Sequence, residues 1–223
     1  MKRIICFAAV LCCLALTACN STSIGLIGGA DGPTDIYLTG GNDDNAEKYL
    51  KKHYVSNLPV LDINIERTFT SDDRELIMDD TVENELELML YEFYHNMTSG
   101  SFEKMKDVIS DNSLLMAIEN EEKNFADGIY YSQIYIDELE LLDKDDLEDI
   151  SDKGKQAIAE MLKNSDTDKF GIVEIETEIK FNEKMRNLAP QIGEGEVTRY
   201  YLVGIKNGKC KILDVYWEDF LDD

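Results

Sequence analysis

Apolar positions along this chain change their spacing near residue 130, and the elements follow from that change. Upstream, Val82, Leu86, Met89, Leu90, Phe93 and Met97 recur every three to four residues, which is the buried stripe of an amphipathic helix. Asp79, Asp80 and Thr81 suit its N-terminus by capping and by negative charge against the helix dipole, and Gly100 suits its end. Ser101 then caps a short helix through Phe102, Met105, Val108 and Ile109, and a third amphipathic helix covers 113–125. Downstream the period falls to two. A strand is expected over 131–142, a helix over 146–164 on Ile150, Ala157, Ile158, Met161 and Leu162, and a second strand over 170–181. In that second strand Val173, Ile175, Thr177, Ile179 and Phe181 alternate with Glu174, Glu176, Glu178 and Lys180, which predicts one core face and one wet face. Strands over 200–206 and 209–217 flank Asn207-Gly208, a pair that favours the type I′ hairpin turn because both residues tolerate positive φ. Ahead of all this, 46–54 reads as a short helix and 58–70 as a strand with Ile63 and Ile65 on one face, ended by Ser71-Asp72-Asp73.

Helices followed by a run of strands is an α+β order, with N-terminal helices packed on one face of a curved antiparallel sheet. The long first helix, the Gly100-Ser101-Phe102-Glu103-Lys104-Met105 step and the Asn207-Gly208-Lys209-Cys210-Lys211-Ile212 turn together resemble the cone-shaped, cystatin-like fold of nuclear transport factor two and ketosteroid isomerase. The resemblance covers 81–223 and is architectural. It implies acids, bases and tyrosines inside the cone mouth, which draws attention to Tyr91, Tyr94 and His95, although no family motif maps onto them. His95 lies off the apolar stripe, so its ring is expected to face solvent.

The N-terminus carries an address. Lys2 and Arg3 precede an apolar run over 4–16 that closes on Leu16-Thr17-Ala18-Cys19. This is the layout of a secretory signal peptide, and at about 20 Å the helical run is too short to span a bilayer core of ~30 Å. Leu-Thr-Ala-Cys resembles the lipobox of bacterial lipoproteins, which implies a diacylated, palmitate-type anchor on Cys19. Two acyl chains hold a protein stably on a membrane. The expected organisation is therefore a signal peptide over 1–18, a lipidated tether over 19–45, an extension over 46–80 and the α+β domain over 81–223, on the extracytoplasmic face. The tether carries six of the fourteen glycines, and as a random coil it spans about 28 Å root-mean-square.

Within the tether, Ile24-Gly25-Leu26-Ile27-Gly28-Gly29-Ala30-Asp31-Gly32-Pro33-Thr34-Asp35-Ile36-Tyr37 resembles the intramembrane signature of the beta subunit of sodium-translocating decarboxylases. That resemblance implies Asp31 as an ion-binding carboxylate. The remainder of such a pump is missing from the pattern, since no apolar run of about 18 residues occurs to surround that carboxylate.

Charge narrows the partners. The chain has 22 basic and 46 acidic residues, and without Lys2 and Arg3 the net charge is −26. Such a surface repels nucleic-acid phosphate and anionic lipid, and favours a basic partner or divalent cations. Of five cysteines, Cys6, Cys12 and Cys13 fall in the signal peptide and Cys19 takes lipid, so Cys210 stands alone, expected as a buried structural thiol without disulfide or Cys/His metal site. His53 and His95 are the only histidines and neither adjoins a candidate nucleophile, which gives a hydrolase no support. Asp143, Asp145, Asp146, Glu148 and Asp149 fail the calcium-loop pattern at position six, and Asp166-x-Asp168 fails it at Phe170 and Thr177. Glu174, Glu176 and Glu178 read as a charged strand face, and the sequons at Asn20 and Asn96 as chance. The sequence assigns no catalytic residue, cofactor or metal. It points to a membrane-anchored protein that binds a small ligand or another envelope protein, with an isomerase- or hydratase-type enzyme of the cone cavity as the alternative.

Overall fold

The computed structural model describes residues 43–56, 58–188 and 193–217. Helix α1 (Asp43–His53) leads to a β1 (Thr68–Ser71), β2 (Arg74–Met78) hairpin, then to helices α2 (Glu85–Ser99), α3 (Phe102–Asp107) and α4 (Asn112–Ala126). Strand β3 (Tyr131–Leu141), a 3-10 turn (Asp146–Glu148), helix α5 (Asp152–Asn164), β4 (Lys169–Phe181), the short α6 (Glu183–Asn187), β5 (Gly195–Lys206) and β6 (Lys209–Trp217) complete it. The class is α+β, as the pattern predicts. One six-stranded sheet runs in the order β1-β2-β3-β4-β5-β6.

The sheet is mixed rather than antiparallel throughout, because β2 and β3 pair in parallel, Leu76 opposite Ile134. A parallel neighbour needs a crossover, and α2, α3 and α4 supply it. The expected strand over 58–70 is confined to its last residues, and β2 follows two residues later across Asp72-Asp73, with Asp72 at φ 55°. Leu58 and Ile65 pack on the core without joining a strand, and Ile63 is exposed.

Helix α2 begins later than the Asp79-Asp80-Thr81 signal suggests. Its cap is Asn84, whose side-chain oxygen accepts from the Leu86 and Glu87 amides. Glu87 returns the favour: one carboxylate oxygen accepts from the Glu83 amide (2.6 Å), the other from Asn84 Nδ2 (2.6 Å) and the Leu141 amide (3.0 Å). This reciprocal box satisfies helix-end donors and ties the helix to β3. The aspartates are used elsewhere, Asp79 accepting from the Tyr135 hydroxyl and Asp80 from the Leu139 amide. Gly100 ends the helix in the left-handed region at φ 76° as expected, and Ser101 opens α3 without a side-chain cap bond. At the other end of the chain Asn207 and Gly208 turn with φ of 51° and 70°, the predicted hairpin.

Much of the core lies between the α2–α4 crossover and one face of the sheet, and unbroken burial over 170–173 and 199–204 shows both faces covered at that end. Leu86, Leu90, Phe93 and Tyr94 from α2, Met105 from α3 and Ile118 from α4 meet Ile136, Val173, Ile175, Tyr201, Val203 and Ile212. Leu50 and Tyr54 around α1, with Leu76 and Met78 of β2, join the same cluster. Residues 54 and 55 add a bridge to Phe170 at the start of β4, and α1 packs beside α5 there. Register shifts in β3 and between β5 and β6 mark bulges, which bend strands locally.

Candidate functional site

Between α4 and the sheet, apolar packing gives way to a cluster of buried polar side chains. Helix α4 buries Leu114, Ala117 and Ile118 on the stripe that continues through Glu121, so the helix period drives a carboxyl group inward. Strand β5 alternates Arg199, Tyr201 and Val203 towards the same space, and α2 contributes Tyr94. These side chains and Tyr131 of β3 line a cavity of about 10 Å³ together with Met97, Ile134 and Ile179. That is room for about one water-sized particle. A second cavity of the same size adjoins it across Glu121 and Tyr131, and Arg74 lines its far side.

Polar groups in this space are only partly paired. The Tyr94 and Tyr201 hydroxyls lie 2.8 Å apart, and Arg199 Nη1 donates to the Tyr94 oxygen at 3.2 Å. The Arg199 guanidinium stacks over Trp217 at 5.1 Å. Arg74 donates to Ser71 Oγ and Asp72 and lies 4.3 Å from the centre of the Phe125 ring. Yet Arg199 Nε, Arg74 Nε, Glu121 Oε1, Asn124 Nδ2 and the Tyr131 hydroxyl have no hydrogen-bond partner. Orphaned buried polar atoms of this kind are rare in folded proteins. Burial pushes the Glu121 carboxyl up to about 8 against the opposing pull of Arg199. It also drives the Tyr131 and Tyr201 phenols well above their ordinary range, so both remain neutral donors.

A second feature lies on the opposite face of the sheet. Register places Glu138 opposite Glu176, Glu140 opposite Glu174, and Glu178 opposite Glu196 across β3, β4 and β5. The predicted alternation of β4 is present, with Val173, Ile175, Thr177, Ile179 and Phe181 buried beneath these carboxylates. Like charges directly opposite one another destabilise a sheet. Partial burial first, and then Glu138, raise Glu140 and Glu176 above the ordinary carboxylate range. Tyr200 relieves Glu174 by donating at 2.8 Å.

The residues singled out from sequence separate. Cys19, Asn20 and Asp31 lie outside the described residues. Tyr94 belongs to the interior cluster, whereas Tyr91 donates to the Glu66 carbonyl at 2.7 Å. His95 does not face open solvent: its ring stacks 3.9 Å from Phe69, because β1 folds over α2. His53 Nδ1 lies 2.8 Å from the Tyr49 carbonyl on its own helix. Cys210 is half-buried rather than buried, and desolvation pushes its thiol up to about 11. Asp166 and Asp168 hold Lys206 at 2.8 and 3.2 Å, Glu148 holds Lys51 at 2.5 Å, and Asp146 accepts from the Asp143 amide. Among the described residues no three His, Cys, Asp or Glu side chains converge as a metal site would require.

Glu121, Tyr131, Arg199 and Tyr201 were not selected from the sequence. The available signal was a charged residue on an apolar stripe, at 121 on the helix and at 199 on the strand, since Glu and Arg are almost never fully buried without a partner. Comparison with known proteins gives no match: no family model fits the chain, and no curated protein or solved structure is significantly similar to it.

Proposed function

We propose that this chain is a lipoprotein anchored through Cys19 on the outer face of a bacterial membrane, whose domain binds a cationic segment of another envelope protein. On this reading the domain has the cone-like, cystatin-like variant of the α+β class, preceded by signal peptide and tether. The observation that carries the reading is the carboxylate face over β3, β4 and β5, where three like-charged pairs stand in register. A protein that retains such pairs gives up stability, and an approaching Lys/Arg-rich segment recovers it through complementary charge. Nucleic acid and anionic lipid headgroups are disfavoured by the same field.

The enzymatic reading draws on Glu121, a buried carboxyl with a raised pKa beside Tyr131 and Arg199. It ranks second because about 10 Å³ admits no substrate larger than water. Sodium translocation has less support: among the described residues no helix is long and apolar enough to cross a membrane.

The test titrates the soluble Cys19→Ser chain from residue 19 with an oligolysine peptide and follows backbone amides by NMR. The expected perturbations centre on Glu138, Glu140, Glu174, Glu176, Glu178 and Glu196 and vanish in Glu174→Gln/Glu176→Gln/Glu178→Gln. Perturbations spread evenly over all acidic loops, or unchanged in the triple variant, would reject the face. Absence of Cys19-dependent membrane fractionation of the full chain would reject the anchor.

A further inference from the structure

The two interior cavities, each of about 10 Å³, share Glu121 of α4 and Tyr131 of β3 in their walls; Arg199 of β5 lines the first and Arg74 of β2 the second. All four side chains are less than a tenth exposed. Each also carries an atom without a hydrogen-bond partner: Arg199 Nε, Arg74 Nε, Glu121 Oε1 and the Tyr131 hydroxyl. These needs are complementary. Both guanidinium Nε–H groups can only donate, a carboxyl oxygen accepts, and a phenol does either, yet none of these atoms bonds another. What satisfies them is a mediator that donates and accepts at once. Volume sets its size, since about 10 Å³ is one probe sphere, the least space that holds a water and too little for an organic ligand. Geometry sets its valence: each cavity offers one arginine Nε, Glu121 and Tyr131, and a buried water typically makes about three hydrogen bonds.

We propose that the two cavities are paired structural water sites that join Arg199, Glu121, Tyr131 and Arg74 into one hydrogen-bonded network. The first water accepts from Arg199 Nε and from the Tyr131 hydroxyl and donates to Glu121 Oε1. The second accepts from Arg74 Nε and donates to the Tyr131 oxygen and to the Glu121 carboxyl. Every orphan on the two linings gains a partner in this way, whereas Asn124 Nδ2 lines neither cavity and stays outside the network. Strands β2 and β5 are not neighbours in the sheet, so the waters couple two strands that share no ladder, with α4 as the link. Glu121 and Tyr131 are the positioning residues, because each serves both waters. This network stands independently of the carboxylate face and of any partner bound there.

The experiment counts long-lived internal waters in the full chain by oxygen-17 magnetic relaxation dispersion at pH 6, where Glu121 is protonated. A globular chain of this length holds several buried waters, so the difference between parent and variant is the measure. Glu121→Leu removes the acceptors common to both sites, and the count should fall by two. Glu121→Gln keeps an oxygen acceptor and should leave the count unchanged, which a merely structural effect of substitution at 121 would not do. Tyr131→Phe keeps the ring and takes one partner from each water; the count should fall by at least one, and this variant carries the test if Glu121→Leu does not fold. An atomic-resolution crystal structure should show one water in each cavity. An unchanged count in Tyr131→Phe or in folded Glu121→Leu overturns the proposal. So does a fall in Glu121→Gln equal to that in Glu121→Leu, or electron density showing Glu121 bonded directly to Arg199 with both cavities dry.

Discussion

Replacing Glu121 by Gln should remove a pH dependence that the folded protein carries in its core. The carboxyl titrates near its ordinary 4.5 in the unfolded chain and at about 8 when buried between α4 and the sheet. Between those values the folded state keeps a proton that the unfolded state has released, so stability is complete below about pH 4.5 and is lost as pH rises towards 8. The slope is at most about 1.4 kcal/mol per pH unit, and the whole window amounts to roughly 4 to 5 kcal/mol. Glutamine copies the shape and neutrality of the protonated acid and cannot ionise. Glu121→Gln should therefore match the parent near pH 4.5 and exceed it by roughly 4 kcal/mol at pH 8, or roughly 10 °C in melting temperature. Other buried acids with raised pKa, Glu87 and Asp214, slope in the same direction but are common to both proteins and cancel in the difference. Urea unfolding followed by the fluorescence of Trp217, the single tryptophan, measures it from pH 4.5 to 8.5. Parallel curves for parent and variant would refute the claim that Glu121 is held neutral.

Three further outcomes follow from the packing. Asn84→Ala removes the acceptor for two amides and a donor to the buried Glu87 carboxylate, and should cost about 1 to 2 kcal/mol in urea unfolding. Gly100→Ala forces a side chain into the left-handed region and sets its Cβ 2.7 Å from the Phe125 ring, which also packs on Phe102 and under Arg74; a loss of roughly 2 to 3 kcal/mol is expected by the same measurement. Glu176→Lys replaces a like-charge pair with Glu138 by an opposite one, and should stabilise by roughly 0.5 to 1 kcal/mol while weakening oligolysine binding in the NMR titration.

Local elements were legible because their signals are local. The α2 stripe, the β4 alternation and the Asn207-Gly208 turn each depend on residues within one or two turns of chain, and each stands where the pattern put it. Boundaries were less legible, because two adjacent signals competed. Asp79-Asp80 and Asn84 both suit a helix cap, and only the pairing of β2 with β3 shows the aspartates drawn off to Tyr135 and Leu139. The β2 strand was overlooked since five residues, Arg74 to Met78, give too short an alternation to separate from the turn before it. His95 turned out stacked on Phe69 for the same reason: the hairpin that covers it comes from outside its own helix.

What the sequence by itself determined is the α+β class, the order of most elements, the helix stripes, the wet face of β4 and the net negative charge. These follow from periodicity and composition, which need no knowledge of what lies across the core. Tertiary structure alone decided that β2 runs parallel to β3, that Glu121, Tyr131, Arg199 and Tyr201 meet Tyr94 around one cavity, and that three glutamate pairs oppose each other across strands. Each depends on register and crossover between segments far apart in the chain. Pairings of that kind are selected by the burial of the whole core, and no window of the sequence contains them.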